Sequence, residues 1–279
     1  MAWLRRNGIL IYAGFAVAYM LIPIVVIALF SFDGGSAQGE LDFVLDSFTL
    51  DYWKDAFAIE AVNESMLKSL QLAALATVFS TVIGTLMAMG LVRYQFFGRR
   101  ATNLLIILPM ATPEIVIGAA LLSMFVLPPF SENSFFDLGF NTLLVAHVMF
   151  SISFVVVVVR SRLIGFDRSL EEAAADLGAG PLTTFRTVTL PLLAPGIVAA
   201  ALLAFALSLD DFVISDLNSG PTETFPLYIF GATQRGIPEQ VTVLATMLFA
   251  VTVVAIVLVL WQQRRAERMA AVLPDPVTE

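Results

Sequence analysis

Residues 161–191 read SRLIGFDRSLEEAAADLGAGPLTTFRTVTLP, an island of polar and small residues between two long apolar runs. Local physics predicts a helix–turn–helix. Ser169 and Glu172 have the S-x-x-E spacing of a capping box, which makes Ser169 the expected N-cap. The alanines that follow are strong helix formers. Gly178 stands where a left-handed C′ residue is wanted, and Pro181 suits the first turn of a second short helix. Leu190-Pro191 is expected to end that helix. Caps would serve any surface hairpin, but the small residues Ala173, Ala174 and Gly178 serve another purpose. They let a second backbone or a groove come close, so the island is expected to dock a partner protein.

The flanks of the island are made for lipid. The chain has 279 residues, 58% hydrophobic and 14% charged, with mean hydropathy +0.87. Soluble domains average about 45–50% apolar and about 25% charged. A span needs roughly 20 apolar residues, and six runs qualify: 8–32, 66–92, 101–127, 141–159, 193–215 and 241–261. Arg5 and Arg6 precede the first, but it is too long for a signal peptide and no A-x-A site follows, so it is expected to be a retained span. No internal repeat or linker is visible. The expectation is an all-α integral membrane protein of six transmembrane helices, one domain over 1–279, with a loop at 161–192 and a tail at 262–279.

Composition also excludes functions. The net charge of −8 has the wrong sign for nucleic acid. There is no cysteine and one histidine. No G-x-x-x-x-G-K-[ST], H-E-x-x-H or G-x-S-x-G motif occurs. The chain is therefore expected to be non-catalytic, with no metal and no cofactor of its own.

Positive residues orient the spans. Twelve arginines (5, 6, 93, 99, 100, 160, 162, 168, 186, 264, 265 and 268) fall on the side of the termini, against Lys54, Lys68 and Arg235 on the other. Both termini are therefore expected in the cytoplasm. The acids then sort themselves. Outer segments carry thirteen (33, 40, 42, 46, 51, 55, 60, 64, 132, 137, 216, 223 and 239), a net −10, while the inner side is net +5. Three acids remain inside the spans: Glu114, Asp210 and Asp211. An anionic outer vestibule suits a cation importer; adaptation to a saline environment fits the scarcity of lysine equally.

The island resembles a known family. The order E-A-A, three residues, G, nine residues, I, one residue, L-P marks the permease subunits of ATP-binding cassette (ABC) importers. Here it is Glu172-Ala173-Ala174, Gly178, Val188 and Leu190-Pro191, with every spacing kept and Val in place of Ile. Residues 93–99 (RYQFFGR), 109–116 (PMATPEIV), 161–167 (SRLIGFD) and 207–215 (LSLDDFVIS) look like the spermidine/putrescine branch and its C-type permease. The likeness covers nearly the whole chain. Only the acidic stretch 33–46 and the C-terminal tail look particular to this protein.

The resemblance implies the type I importer permease fold in the inner (plasma) membrane. It implies a homologous second permease, two copies of an ATP-binding subunit that carry the ATP and Mg, and an extracytoplasmic polyamine-binding protein. It also implies that Glu172, Ala173, Ala174, Gly178, Leu190 and Pro191 form the contact with the ATPase, and that nucleotide-driven closure moves this loop as a lever.

The buried acids supply the substrate expectation. A carboxylate within a span costs at least about 2.5–3.5 kcal/mol on insertion scales, so it marks function by default. Glu114 lies about 13 residues into the third run, roughly 20 Å from its cytoplasmic end. Pro109 and Pro113 before it permit a kink or an unwound turn. Asp210 and Asp211 point about 100° apart on a helix, so only one need face a pathway. Offered to a polyamine, these charges would replace the water of its ammonium groups; alternatively they cap broken helices or bond to the second permease. Phe125, Phe130, Phe205, Phe212 and Tyr228 are candidates to stack on a polyamine, or simple packing. His147 reads as hydrogen-bonded packing. Leu50, Trp53 and Phe57 have i, i+3, i+7 spacing and suggest a short interfacial helix. Other expectations in play are a permease for another small organic cation or an aminophosphonate, and an ion-coupled secondary transporter.

Overall fold

A computed structural model describes residues 2–34, 47–234 and 236–270, with backbone alone at 2–6, 10, 255–256, 258–260 and 262–270. The acid-rich stretch 35–46, Arg235 and tail residues 271–279 lie outside the described residues. The chain is mostly helical, and among the described residues the sole extended pairing is an isolated bridge, Asp33 to Phe48. Contacts gather it into two compact units, Met1–Val62 with Gly231–Glu279, and Asn63–Phe230.

In the first unit, α1 (Ala2–Phe30) packs on α12 (Glu239–Ala270). Where α1 ends, Phe32 stacks between Phe48 and Trp53, with ring centroids 5.5 and 5.0 Å away. Trp53 Nε1 donates to the Ser31 carbonyl at 3.0 Å. The expected interfacial helix is a single turn, α2 (Asp51–Lys54), with Leu50 and Phe57 exposed and Trp53 turned inward. The aromatic stack, not an i+3, i+7 stripe, decides which side faces in.

The second unit is built around α6 (Phe140–Ile164), on which α4 (Arg99–Ala111), α9 (Leu190–Leu209) and α10 (Val213–Asn218) pack. One core cluster joins Ala88, Leu91, Ile106, Val155, Val159, Leu193, Ala200 and Ala204. Another joins Ile117, Leu121, Phe125, Ala146, Phe150 and Ile214. Small residues set the spacing, as expected where lipid supplies no hydrophobic drive between helices. In α3 (Glu60–Arg93), a Cβ on Gly84 would stand 2.6 Å from Val155 Cγ1 and 3.3 Å from the Ile152 carbonyl.

Among the described residues, four helices are long and apolar enough to cross a membrane: Asn7–Phe30, Glu60–Arg93, Phe140–Ile164 and Pro181–Leu209. A fifth candidate is α4 with α5 (Glu114–Val126), two helices bent by 113°. Glu239–Val254 is a shorter apolar helix. The break between α4 and α5 falls where Pro113 was expected to permit one: Thr112 before it is extended, ψ 136°, as a residue preceding proline prefers. The continuous helix expected over 193–215 is not found. Helix α9 stops at Leu209 and α10 starts at Val213, so both aspartates sit at an interruption that hydropathy does not register.

Candidate functional site

The island folds as a capped helix followed by a turn and a second helix, with two corrections to the expected details. Helix α7 spans Ser169–Asp176. Ser169 is its first residue and not its cap; the Ser169 amide donates to Asp167 Oδ1 at 2.9 Å, so the acid two residues earlier closes the helix start. That bond holds the Asp167 carboxyl below its ordinary range. At the other end Gly178 has φ +83°. Its amide bonds to the Ala175 carbonyl at 2.9 Å and the Ala179 amide to Ala174 at 3.0 Å, a Schellman pair that only a left-handed residue allows without strain.

Pro181 then opens α8 (Pro181–Thr184), as expected. Leu190-Pro191 does not end the second helix. A π turn over Phe185–Thr189 joins α8 to α9 without a loop, and the Leu190 amide reaches the Phe185 carbonyl five residues back. Widening the ladder here accommodates a proline that a regular α-turn would resist.

Glu172 and Ala173 face outward, with Leu170 47%, Leu177 89% and Leu182 70% exposed around them. Glu171, its neighbour, points inward and was missed by the sequence reading. Arg93 Nη2, at the end of α3, and Thr189 Oγ1, in the π turn, both donate to Glu171 Oε1. Burial pushes this carboxyl up, but the bonds from Thr189 and Arg93 and the charges of Arg93 and Arg168 outweigh it and hold it below its ordinary value. One carboxylate thus ties the island's first helix to the end of α3 and to the π turn that leads into α9.

The three acids of the apolar runs fall at the two helix breaks. Glu114 opens α5, Asp210 ends α9, and Asp211 precedes α10. Glu114 lies within electrostatic reach of both aspartates. Glu114 and Asp210 are exposed and make no ion pair among the described residues; Asp211 is buried. Helices α5 and α10 are pressed close at Gly118, where a Cβ would meet Leu217 Cδ1 at 2.8 Å and the Ile214 Cα at 3.4 Å. Asn218 Nδ2 seals that contact by donating to the Gly118 carbonyl at 3.2 Å.

Asp211 is fully engaged. Its Oδ2 accepts from the Ser215 amide at 2.8 Å and from Ser215 Oγ at 2.9 Å, capping α10, and lies 3.4 Å from His147 Nε2. His147 Nε2 also meets Ser215 Oγ at 3.0 Å, and its Nδ1 meets Ser208 Oγ at 2.7 Å. Ser215 has one hydroxyl hydrogen, given to Asp211, so Nε2 carries the proton and Nδ1 accepts from Ser208. His147 is hydrogen-bonded packing, as expected. Among the aromatic candidates, Phe125 is buried and stacks on Phe136 at 5.9 Å, Phe130 meets the same ring edge-on, and Phe212 lies 4.8 Å from Phe230.

This geometry has relatives. The chain is 35% identical over 242 residues to the spermidine/putrescine transport system permease protein PotC of Haemophilus influenzae, covering 86% of this chain and 90% of that one. It is 33% identical over 262 residues to the putrescine transport system permease protein PotI of Escherichia coli, covering 93% and 91%. Among solved structures it is similar in fold to a bacterial alginate ABC transporter in complex with an alginate pentasaccharide-bound periplasmic protein (TM-score 0.66, 19% identity, 95% and 96% covered). It is likewise similar to the MetNI methionine ABC transporter (TM-score 0.56, 17% identity, 74% and 95% covered). The sequence model of the binding-protein-dependent transport system inner membrane component matches residues 80–270. The chain belongs to that family, the non-catalytic permease subunits of ABC transporters.

Proposed function

We propose that this chain is one of two permease subunits that carry polyamines into the cytoplasm through an ABC importer. The observation that carries the substrate class is the pair of exposed, unpaired carboxylates, Glu114 and Asp210, standing at two helix breaks within one compact unit. A polyamine is a flexible chain of ammonium groups, each of which needs an anionic or carbonyl partner once its water is stripped. Free carboxylates beside interrupted helices supply such partners. Asp211, spent on Ser215 and His147, is the positioning member of the trio. The similarity to spermidine/putrescine and putrescine transport permeases supports the same substrate class.

The remaining organisation follows the family. Six spans with both termini cytoplasmic agree with the twelve arginines on one side, the bent pair α4–α5 counting as one crossing and α12 as the last. The hairpin over 161–192 docks on an ATP-binding subunit, through Glu172, Ala173, Ala174 and Gly178 and the exposed leucines around them, while Leu190 and Pro191 carry the joint into α9. A soluble receptor delivers substrate from outside, two ATPase copies supply the power, and ATP and Mg stay on them.

Neutralising variants test the substrate site. Glu114→Gln and Asp210→Asn each lose a charged partner, a difference of about 1.5–3 kcal/mol, so polyamine uptake by the assembled transporter falls by about tenfold or more. Complex recovery is unchanged. Wild-type uptake in both variants overturns the proposal.

A further inference from the structure

We infer that His147 is a positioning residue for cation selection: it clasps the two halves of the broken fifth span and so fixes where Asp210 stands relative to Glu114. The inference rests on the polyamine reading above.

The backbone alone does not tie these halves together. The α9 ladder ends with the Asp210 amide on the Ala206 carbonyl, and the α10 ladder begins with the Asp216 amide on Phe212. Between them lie Asp210, Asp211 and Phe212. A break of this kind is a hinge unless something spans it. His147 spans it from α6: one ring nitrogen holds Ser208, before the break, and the other holds Ser215, after it. The ring also backs Asp211 inside the break. With 2% exposure it has no surface to offer a substrate, so it acts through the groups it holds.

The clasp extends to the other acid. Helix α10 is bonded to α5 by Asn218 and pressed on it at Gly118, and α5 begins with Glu114. Asp210 and Glu114 are thereby linked through His147, α10 and α5, with each joint hydrogen-bonded or in close contact. Two carboxylates held at one separation favour cations whose charges match it. Loosen the clasp and the separation spreads, so discrimination between a short diamine and a longer triamine declines.

The test uses the complete transporter with its receptor in proteoliposomes, reading kcat/KM for labelled putrescine and spermidine. Since the receptor is the same in every preparation, its own preference cancels between variants. His147→Ala is expected to shift the ratio of the two values by about fivefold or more, within what a mispaired polar group imposes on specificity. His147→Gln keeps a donor and an acceptor and is expected to bring the ratio back to within about twofold. Should His147→Ala not assemble, Ser208→Ala removes one arm of the clasp without cutting volume from the core, and it shifts the ratio in the same direction. An equal change for both substrates, or Gln no better than Ala, overturns the clasp. If Glu114→Gln and Asp210→Asn lose uptake while the ratio stays fixed in the His147 and Ser208 variants, only the clasp falls. If those acid variants transport normally, the polyamine reading falls and takes the clasp with it.

Discussion

The hairpin over 161–192 and the acid cluster are organised by opposite means. In the hairpin, nearly every bond is short in sequence: Asp167 to Ser169, Gly178 to Ala175, Ala179 to Ala174. In the cluster, apart from the Asp211 cap on Ser215, the decisive bonds are long: His147 to Ser208 and Ser215, Asn218 to Gly118, Thr142 to the Asn218 carbonyl. A hairpin stabilised from within keeps its shape whatever it docks against. A cluster held from outside takes its shape from three helices at once, and its geometry changes if any of them moves. Glu171 is the exception that joins the two regimes, a hairpin residue bonded to the far ends of α3 and the π turn.

The sharpest way to break this contrast is at the two adjacent aspartates. Asp211→Ala strands the Ser215 amide and hydroxyl in a buried site, at a cost of roughly 2–3 kcal/mol. Less complex is expected from membranes and its thermal midpoint in detergent drops, whereas Asp210→Asn leaves both unchanged. Equal stability in the two variants would erase the distinction between a structural and a free acid.

Gly178→Val probes the hairpin's self-sufficiency. A β-branched residue at φ +83° is strained by about 1–2 kcal/mol, so the Schellman turn opens. Substrate-stimulated ATP hydrolysis is expected to fall severalfold with the chain still assembled in the membrane. A variant with unaltered stimulation would show that the hairpin's shape is imposed by its partner.

Glu171→Gln tests the bridge between the regimes and should have the smallest effect, about 1 kcal/mol. The sign of its pH dependence follows from a carboxyl held below its ordinary value of 4.5. Its contribution is complete above that value and is lost as pH falls through the lowered one. The thermal midpoints of wild type and Glu171→Gln therefore differ at neutral pH and converge in acid. A gap that widens in acid refutes the assignment.

The same contrast explains what could be read from the residues. Gly178 and Pro181 announce their roles because a positive φ and a missing N–H are properties of single residues. Pro113 announces the α4–α5 break for the same reason. The α9–α10 interruption carries no proline or glycine; Asp210 and Asp211 were visible as acids in an apolar run, but the run stayed hydrophobic enough to read as one span. Ser208 and Ser215 flank those acids, a signal that gains meaning only once His147, more than sixty residues away, is known to sit between them. Arg93 and Glu171 are likewise 78 positions apart. Ser169 misled because Asp167, two residues earlier, supplied a competing acceptor: the Ser169 amide is taken by that carboxylate, which makes Ser169 the first helical residue and not the cap.

The loopless joint between α8 and α9 makes Pro181–Leu209 a single helical rod of 29 residues, about 43 Å long. A rod has an angular phase as well as a length. Each residue along it turns the far end by about 100° relative to the near end, so the direction in which Asp210 points is geared to the direction in which the hairpin faces. Exposed side chains along α9, such as Val198 and Leu202, can change without disturbing that gearing. One residue inserted or deleted between the joint and Leu209 cannot, because it would swing the acid to another side of the helix while leaving the composition almost untouched. Count along α9 is therefore a constraint separate from content.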